Sequence, residues 1–412
     1  MLTTFSTILA NALKVKLRRL TSNQPSLSER LDVYSINEIG LRLYKANIGT
    51  PTIVTDEQLI EIIATIASET TQSKFRTSFL NSEWIEVVDA WQLNTWEGYR
   101  DVKRMGRKTR LPESQRLVLW DIFRKINEKL STQNLSTYSS MFARLTEFFL
   151  QNKRLPYEYA VVDEAQDMAI CHLRFLASIA REKSNALFFA GDLGQRIFQQ
   201  PFSWKSVGID IRGRSQILNV NYRTSHQIRR QSDRLLATEV TDADGNIENR
   251  NNTISVFNGP QPEVKIFASD KEEIEFVCQW ITKLVVDGLA LHEIGVFVRS
   301  TKEIDRAVAS IDKANVAYKI LDESVEAIGG FVSISTMHLA KGLEFKAVAV
   351  MACDDEVIPS QDRIEGITDE ADLEEVYNTE RHLLYVACTR ARDVLVVTGV
   401  NPVSEFLEDI KS

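Results

Sequence analysis

Residues 159–167 read Tyr-Ala-Val-Val-Asp-Glu-Ala-Gln-Asp, an apolar run that ends in adjacent carboxylates. The run predicts a buried strand with Asp163 and Glu164 at its carboxyl end, where ligands bind in open α/β sheets. An enzyme that hydrolyses nucleotides needs one acid to hold Mg²⁺ and a second acid to orient the attacking water. Taken alone, the pattern fits a strand that runs into an acidic turn even better.

Similar apolar runs recur along the chain, separated by segments of helical periodicity. They lie at residues 160–162, 186–190, 217–220, 294–298, 347–351 and 394–397. Buried strands that alternate with helices predict a parallel, doubly wound α/β sheet. Residues 55–150 show amphipathic helical spacing instead and predict a helical insertion. Residues 241–262 are rich in Asn, Asp, Gly and Pro and predict a loop, and the acidic residues 354–375 predict a solvated segment.

The charge distribution permits nucleic-acid binding without indicating it. The net charge of the 412 residues is −8. Residues 1–215 carry 29 Lys and Arg against 23 Asp and Glu, a balance of +6, and residues 216–412 carry 20 against 34, a balance of −14. Because salt screens charges beyond about 10 Å, an acidic protein can still present a basic groove.

The cysteines and apolar runs indicate a cytoplasmic protein that does not enter a membrane. Cys171, Cys278, Cys353 and Cys388 stand far apart, so neither a zinc site nor a disulfide framework is indicated. No apolar run approaches the ~20 residues of a membrane span. The first 28 residues contain no acid and weakly suggest a transit peptide, but they fit a motif described below better.

Polar residues with a chemical use stand beside other predicted strands. The segments are GDLGQRI at 191–197, NYRTS at 221–225, STMHLAKGLEF at 335–345 and ERHLLYVACTRARD at 380–393. The Gln195 amide could sense a phosphate oxygen or the attacking water, and Arg223 and Arg390 could neutralise phosphate charge. Each residue by itself is also compatible with a turn, a surface ion pair or a helix-end charge.

Taken together and in this order, the five segments resemble motifs II to VI of the UvrD/Rep family of superfamily 1 DNA helicases. Residues 2–10 and 33–43 resemble the two motifs that follow the family's phosphate-binding loop. The resemblance implies an α/β fold of two RecA-like lobes with parallel sheets. The expected lobes are residues 1–215, with the helical insertion at about 55–150, and residues 216–412. The large accessory domain of the second lobe is expected to be absent, because 112 residues separate Arg223 from Thr336.

The implied activity is that of an ATP-dependent 3′–5′ DNA helicase, which couples hydrolysis of ATP between the lobes to movement on single-stranded DNA, with Mg²⁺ as the metal. The resemblance assigns five residues to catalysis: Asp163 as Mg²⁺ ligand, Glu164 as general base, Gln195 and Arg223 at the γ-phosphate, and Arg390 as arginine finger. It assigns three to nucleotide binding: Tyr222 on adenine, Glu344 on the ribose, and Gly342 in the same segment.

The resemblance also implies contacts with single-stranded DNA and with junctions of single and double strands. Four residues are expected along the single strand: Phe5, Phe198, Trp204 and His338. Aromatic rings suit this role, since each stacked base is worth ~1–3 kcal/mol. An insertion lengthens the spacing to Trp204, so Phe202 is the alternative. A basic run in the insertion is expected to contact phosphates, unless it is a solvated loop: Lys103, Arg104, Arg107 and Lys108.

The family's phosphate loop, GxxGxGK[ST], does not occur in the 412 residues. The backbone amides of such a loop cradle phosphates, and its Lys reaches the β- and γ-phosphates. Because the chain opens on the segment that follows this loop, we expect a truncated form with impaired hydrolysis. The alternative is a non-catalytic, degenerate helicase that binds DNA or a partner, although the retained phosphate-contacting residues argue against it. An RNA-directed motor fits less well, and protein partners stay open.

Overall fold

The computed structural model describes residues 1–70, 75–102, 111–152, 155–180, 185–192, 195, 203–237, 239–241, 247–249, 253–321, 329–365 and 370–411. The chain divides into two compact units. The first comprises Met1–Asp192 and Phe198–Gly213, and the second comprises Leu193–Ile197 and Arg214–Ser412. Across the ranges given above, no helix is long and apolar enough to cross a membrane.

The first unit is built on a four-stranded parallel sheet of order β2-β1-β3-β4. Its elements are β1 (Leu2–Thr4), α1 (Thr7–Leu20), α2 (Pro25–Glu29), β2 (Val33–Ser35), α3 (Ile36–Asn47), α4 (Asp56–Glu69), α5 (Thr77–Glu83), a π-helical turn (Trp84–Asp89), α6 (Trp96–Asp101), α7 (Glu113–Thr132), α8 (Tyr138–Gln151), β3 (Ala160–Asp163), α9 (Ile170–Ile179) and β4 (Leu187–Phe189). Thr4 of β1 pairs with Ser35 on one side and Asp163 on the other, so three carboxyl ends meet at one edge.

Helices α3, α8 and α9 supply the core beneath this sheet. Ile36, Phe142 and Phe175 are fully buried in it. The start of α3 is fixed by reciprocal hydrogen bonds: the Ser35 hydroxyl accepts from the Glu38 backbone N–H, and the Glu38 carboxylate accepts from that of Ser35. Such a capping box begins a helix directly after a strand.

The helices α4 to α7 form a separate core. Trp84, Tyr99 and Phe123 are buried in it, and the Tyr99 hydroxyl donates to the buried Glu83 carboxylate at 2.9 Å. The helical insertion expected at about 55–150 spans α4 to α8, but Phe142 of α8 belongs to the sheet's core instead. Amphipathic spacing predicts a helix without predicting which core its apolar face joins.

The second unit is built on a six-stranded parallel sheet of order β11-β12-β10-β13-β14-β9. Its elements are β5 (Val220–Asn221), α10 (His226–Ser232), β6 (Glu239–Thr241), β7 (Ile247–Asn249), β8 (Ile254–Ser255), β9 (Glu263–Phe267), α11 (Asp270–Val286), β10 (Ile294–Val298), α12 (Ile304–Lys313), β11 (Tyr318–Ile320), β12 (Val332–Thr336), β13 (Phe345–Val350), α13 (Gln361–Ile364), α14 (Glu370–Cys388), β14 (Ala391–Val400) and α15 (Phe406–Lys411). All of β10 is buried, as its continuous apolar run predicts for an interior parallel strand.

Two sequence expectations differ from this structure. The apolar run 217–220 contributes only Val220 to a strand, and Leu218 is 82% exposed. The predicted loop 241–262 contains β7 and β8, in which Ile247 and Ile254 are β-branched residues of high strand propensity. In both cases, pairing with a partner strand decides whether the segment forms a strand.

All four cysteines are buried free thiols. Burial raises the pKa of Cys171 and of Cys388 to about 12. Burial also raises the pKa of Cys353 well above its ordinary value. The thiolate, which is the reactive form, is therefore scarce at these positions at neutral pH.

Candidate functional site

The first part of the site is the acid pair at the end of β3. Asp163 is the last residue of the strand, and Glu164 follows with a φ of 53°, in the left-handed region. A non-glycine residue there costs of order 1–3 kcal/mol and persists only where its surroundings hold it. The Glu164 backbone N–H donates to Asp163 Oδ1 at 3.0 Å. The strained turn thus directs two successive carboxyl groups from one strand end.

A residue that the sequence analysis did not single out holds this turn. The Gln166 amide donates to Glu164 Oε2 at 2.6 Å and accepts from the Asp192 backbone N–H at 3.1 Å. Gln166 is 3% exposed, and a Cβ on Gly191 would lie 2.4 Å from its Oε1 atom. Only glycine at 191 leaves room for this bridge between the ends of β3 and β4.

The neighbouring strand β1 adds the Thr4 hydroxyl group to the same edge. Thr3 and Thr4 are each 1% exposed, and neither Oγ1 atom has a hydrogen-bond partner among the residues that the structure describes. Thr4 stands in register with Asp163. The Asp163 carboxylate and the Thr4 hydroxyl in register with it fit Mg²⁺, which takes one or two carboxylates together with nucleotide phosphates and waters. The described residues contain no group of three His, Cys, Asp or Glu that could hold a metal alone.

Phe5 and Trp204, the expected DNA contacts of this unit, are both partly buried against its core. The Trp204 ring packs on Phe189 with centroids 5.0 Å apart. Each ring therefore has one packed side and some exposed area.

The second unit brings together residues expected at the nucleotide. The Arg223 guanidinium donates to the Leu343 carbonyl, and its Nε lies 3.7 Å from the Glu344 carboxylate. The adjacent Gly342 has a φ of 81°, a left-handed turn that favours glycine. Tyr222 is 73% exposed, so its ring is available for stacking.

Arg390 and Gln195 are in direct contact within the second unit. Arg390 Nη2 donates to Gln195 Oε1 at 2.8 Å, and Lys341 Nζ donates to the Gln195 carbonyl at 2.6 Å. Arg390 is 1% exposed, and its Nε donates to the Val386 carbonyl at 2.9 Å. Lys341 was not singled out from the sequence, although it stands in the quoted segment 335–345.

His338 follows β12 and lies against charged groups. Burial and the nearby positive charge of Arg299 lower its pKa to about 4, so the ring is neutral at neutral pH. Arg299 in turn pairs with the buried Glu380. The pairing of these two residues was not predicted, because 81 positions separate them in the sequence.

Several expected DNA contacts lie outside the described residues: Phe198, its neighbour Phe202, and the basic residues Lys103, Arg104, Arg107 and Lys108. Their assignment stays a prediction.

Comparison with known families identifies two domains. Residues 1–206 match the UvrD/REP helicase N-terminal domain, and residues 321–401 match the UvrD-like helicase C-terminal domain.

Individual relatives agree with these domains. The chain is 32% identical to the ATP-dependent DNA helicase PcrA of Bacillus subtilis, over 29% of this chain and 18% of that protein. It is 38% identical to the putative ATP-dependent DNA helicase YjcD of the same organism, over 26% of this chain and 13% of that protein. It is 39% identical to a probable DNA helicase II homolog of Rickettsia conorii, over 20% of this chain and 12% of that protein. The chain thus spans less than a fifth of the length of each of these relatives.

Proposed function

The chain belongs to the UvrD/Rep family of DNA helicases, and from this premise we propose that it acts in ATP-driven 3′–5′ movement on single-stranded DNA. The observation that carries the proposal is the 2.8 Å hydrogen bond between Arg390 and Gln195. Both side chains are expected at the γ-phosphate, and they meet although 195 positions separate them. Buried, prearranged donors of this kind are what phosphoryl transfer requires.

Four residues would supply the hydrolysis chemistry. Glu164 would accept the proton of the attacking water, and Asp163 would hold the Mg²⁺ that offsets charge on the phosphate oxygens. Arg223 and Arg390 would stabilise the charge that develops as the terminal P–O bond breaks. Both guanidinium groups are held by backbone carbonyls, so little ordering is left for the reaction itself.

We test DNA binding by fluorescence anisotropy with a labelled oligothymidylate of about 16 nucleotides. We expect the chain to prefer this strand to a duplex of equal length, and His338→Ala to weaken binding to the strand. Equal affinity for strand and duplex would count against the proposal.

The direction of movement is tested in any form of the protein that hydrolyses ATP. We expect it to displace streptavidin from the 5′ end of a biotinylated oligonucleotide and not from the 3′ end. The reverse preference would overturn the 3′–5′ assignment.

DNA binding without hydrolysis is the second candidate function, and the missing phosphate-loop motif is the one feature that favours it. No GxxGxGK[ST] motif occurs in the 412 residues, and such a loop is what supplies the amide cradle and the lysine for the phosphates. We expect no DNA-stimulated phosphate release above the background set by a Glu164→Gln control. Turnover of about one per second that the control abolishes would remove this candidate.

A further inference from the structure

A buried cluster of charges in the second unit takes no part in the hydrolysis chemistry described above. Glu380 of α14 is fully buried, and Arg299 donates two hydrogen bonds to its carboxylate, at 2.5 and 2.6 Å. Arg363 donates another at 2.9 Å. Burial alone would raise the pKa of Glu380, but the Arg299 hydrogen bonds and both positive charges outweigh it and lower the pKa. The carboxylate therefore stays ionised and holds Arg299 in one orientation.

The same arginine reaches the histidine expected to contact DNA. Arg299 Nη1 lies 3.5 Å from His338 Nδ1, a long contact that orients the ring more than it stabilises it. Because a guanidinium group can only donate, this contact favours the neutral tautomer in which Nδ1 accepts. Burial and the positive charge of Arg299 keep the His338 ring neutral at neutral pH.

Helix α14 connects this cluster to the nucleotide side of the unit. Val386 lies six positions, or about 9 Å of helix, after Glu380, and its carbonyl accepts from Arg390 Nε. Every residue from 383 to 388 is at most 1% exposed. A turn packed so tightly transmits a displacement to its neighbours, because protein interiors have low compressibility.

We propose that Glu380 is a positioning residue, which couples His338 on the DNA side to Arg390 on the nucleotide side. DNA that displaces the His338 ring would shift Arg299, and the bidentate ion pair would pass this shift to α14. The inference rests on the proposed function in one respect, the contact of His338 with DNA. The coupling element is the Arg299–Glu380 pair together with the last turns of α14.

A double-mutant cycle on the affinity for single-stranded oligothymidylate tests the first half of this link. Glu380→Gln keeps the shape of the side chain and removes its charge. We expect this variant and His338→Ala each to weaken binding about fivefold, and the double variant to weaken it no further, since both act through one contact. If the double variant instead weakens binding by the product of the two single effects, Glu380 acts on stability alone. That result would overturn the proposal.

The matched control is Glu273→Gln. Glu273 is another fully buried carboxylate of the second unit, paired with Arg306. We expect it to leave DNA affinity unchanged and to combine additively with His338→Ala. Should Glu380→Gln not fold by circular dichroism, Arg299→Lys takes its place in the cycle with the same expected result, because one ammonium group cannot bind Glu380 bidentately and reach His338.

The second half of the coupling, from Glu380 to Arg390, is measured by ¹⁵N nuclear magnetic resonance of Arg390. Its Nε–H signal, identified by its loss in Arg390→Lys, should shift when the oligonucleotide is added to the wild-type chain or to Glu273→Gln. The shift should be lost in Glu380→Gln at saturating oligonucleotide. An equal shift in Glu380→Gln, or no shift in the wild type, overturns the coupling. A wild-type chain that binds no oligonucleotide instead overturns the proposed function, and this inference with it.

Discussion

At the scale of single residues, the acid pair shows how much of the site the sequence could predict. The adjacent acids 163 and 164 at a strand end indicate their chemistry directly. The left-handed backbone of Glu164 and its hydrogen bond to Gln166 could not be predicted, because they depend on β4 reaching the same edge. The pair of Arg299 and Glu380 escaped prediction for the same reason: a buried ion pair between distant positions leaves no local pattern.

Gln166→Ala should destabilise the first unit by about 1–3 kcal/mol, because it leaves the Asp192 N–H unpaired and releases the strained Glu164. Urea unfolding followed by tryptophan fluorescence measures the change. Gln151→Ala, at an exposed helix end of the same unit, should change the free energy of unfolding by less than about 0.5 kcal/mol. Equal effects of the two substitutions on the free energy of unfolding would show that Gln166 does not hold the Glu164 turn.

His338 predicts a pH dependence with a definite sign. Its folded pKa of about 4 lies below its ordinary value of 6.5, so the unfolded chain takes up the proton first. The contribution of the neutral His338 ring to the free energy of unfolding is therefore fully present above pH 6.5. It is lost as the pH falls towards 4, by at most about 3 kcal/mol. His338→Gln cannot titrate, so the stability difference between wild type and variant should shrink over this range in urea unfolding curves. A difference that does not vary with pH would contradict the assignment.

At the scale of elements, the sequence predicted strands best where burial is complete on both faces. The run 294–298 matches β10 residue for residue, and 394–397 lies within β14. Exposed or edge segments were predicted poorly, as Leu218 shows, because their structure depends on pairing rather than on their own composition. Starts of helices follow local chemistry more closely, since a cap and its partner lie three residues apart.

Ser35→Ala should therefore cost about 1 kcal/mol, because it removes the hydroxyl that accepts from the Glu38 N–H at the start of α3. Ser131→Ala, on an exposed position near the end of α7, is the control and should be close to neutral. Thermal unfolding of both variants beside the wild type gives the comparison. A neutral Ser35→Ala would mean that packing of Ile36 alone fixes the start of the helix.

At the scale of the whole molecule, the two halves of the sequence differ in net charge, which is +6 for residues 1–215 and −14 for residues 216–412. The first half is the basic one, and it contains the run around Lys103. If this run contacts phosphates, each neutralised phosphate releases counterions and contributes about 0.7 to the slope of log K against log salt for a single strand.

Replacing Lys103, Arg104, Arg107 and Lys108 with Ser should flatten that slope by about 2–3 and weaken binding to all sequences alike. Anisotropy titrations at several salt concentrations measure the slope. Replacing the exposed Lys271 and Lys283 of α11 with Ser should leave it unchanged. An unaltered slope in the quadruple variant would assign the basic run to solvent.

Because all four cysteines are buried, the folded chain suits site-specific labelling with a dye at an introduced cysteine. A maleimide added near neutral pH needs an accessible thiolate, and burial holds the thiol of Cys171 and of Cys388 protonated with a pKa of about 12. A cysteine introduced at an exposed position such as Ser131 would thus take the label while the native thiols stay unmodified. Brief pulses of the same reagent, followed by mass spectrometry, would then show which unit opens first. Labelling of Cys171 reports on the first unit, and labelling of Cys278, Cys353 and Cys388 reports on the second.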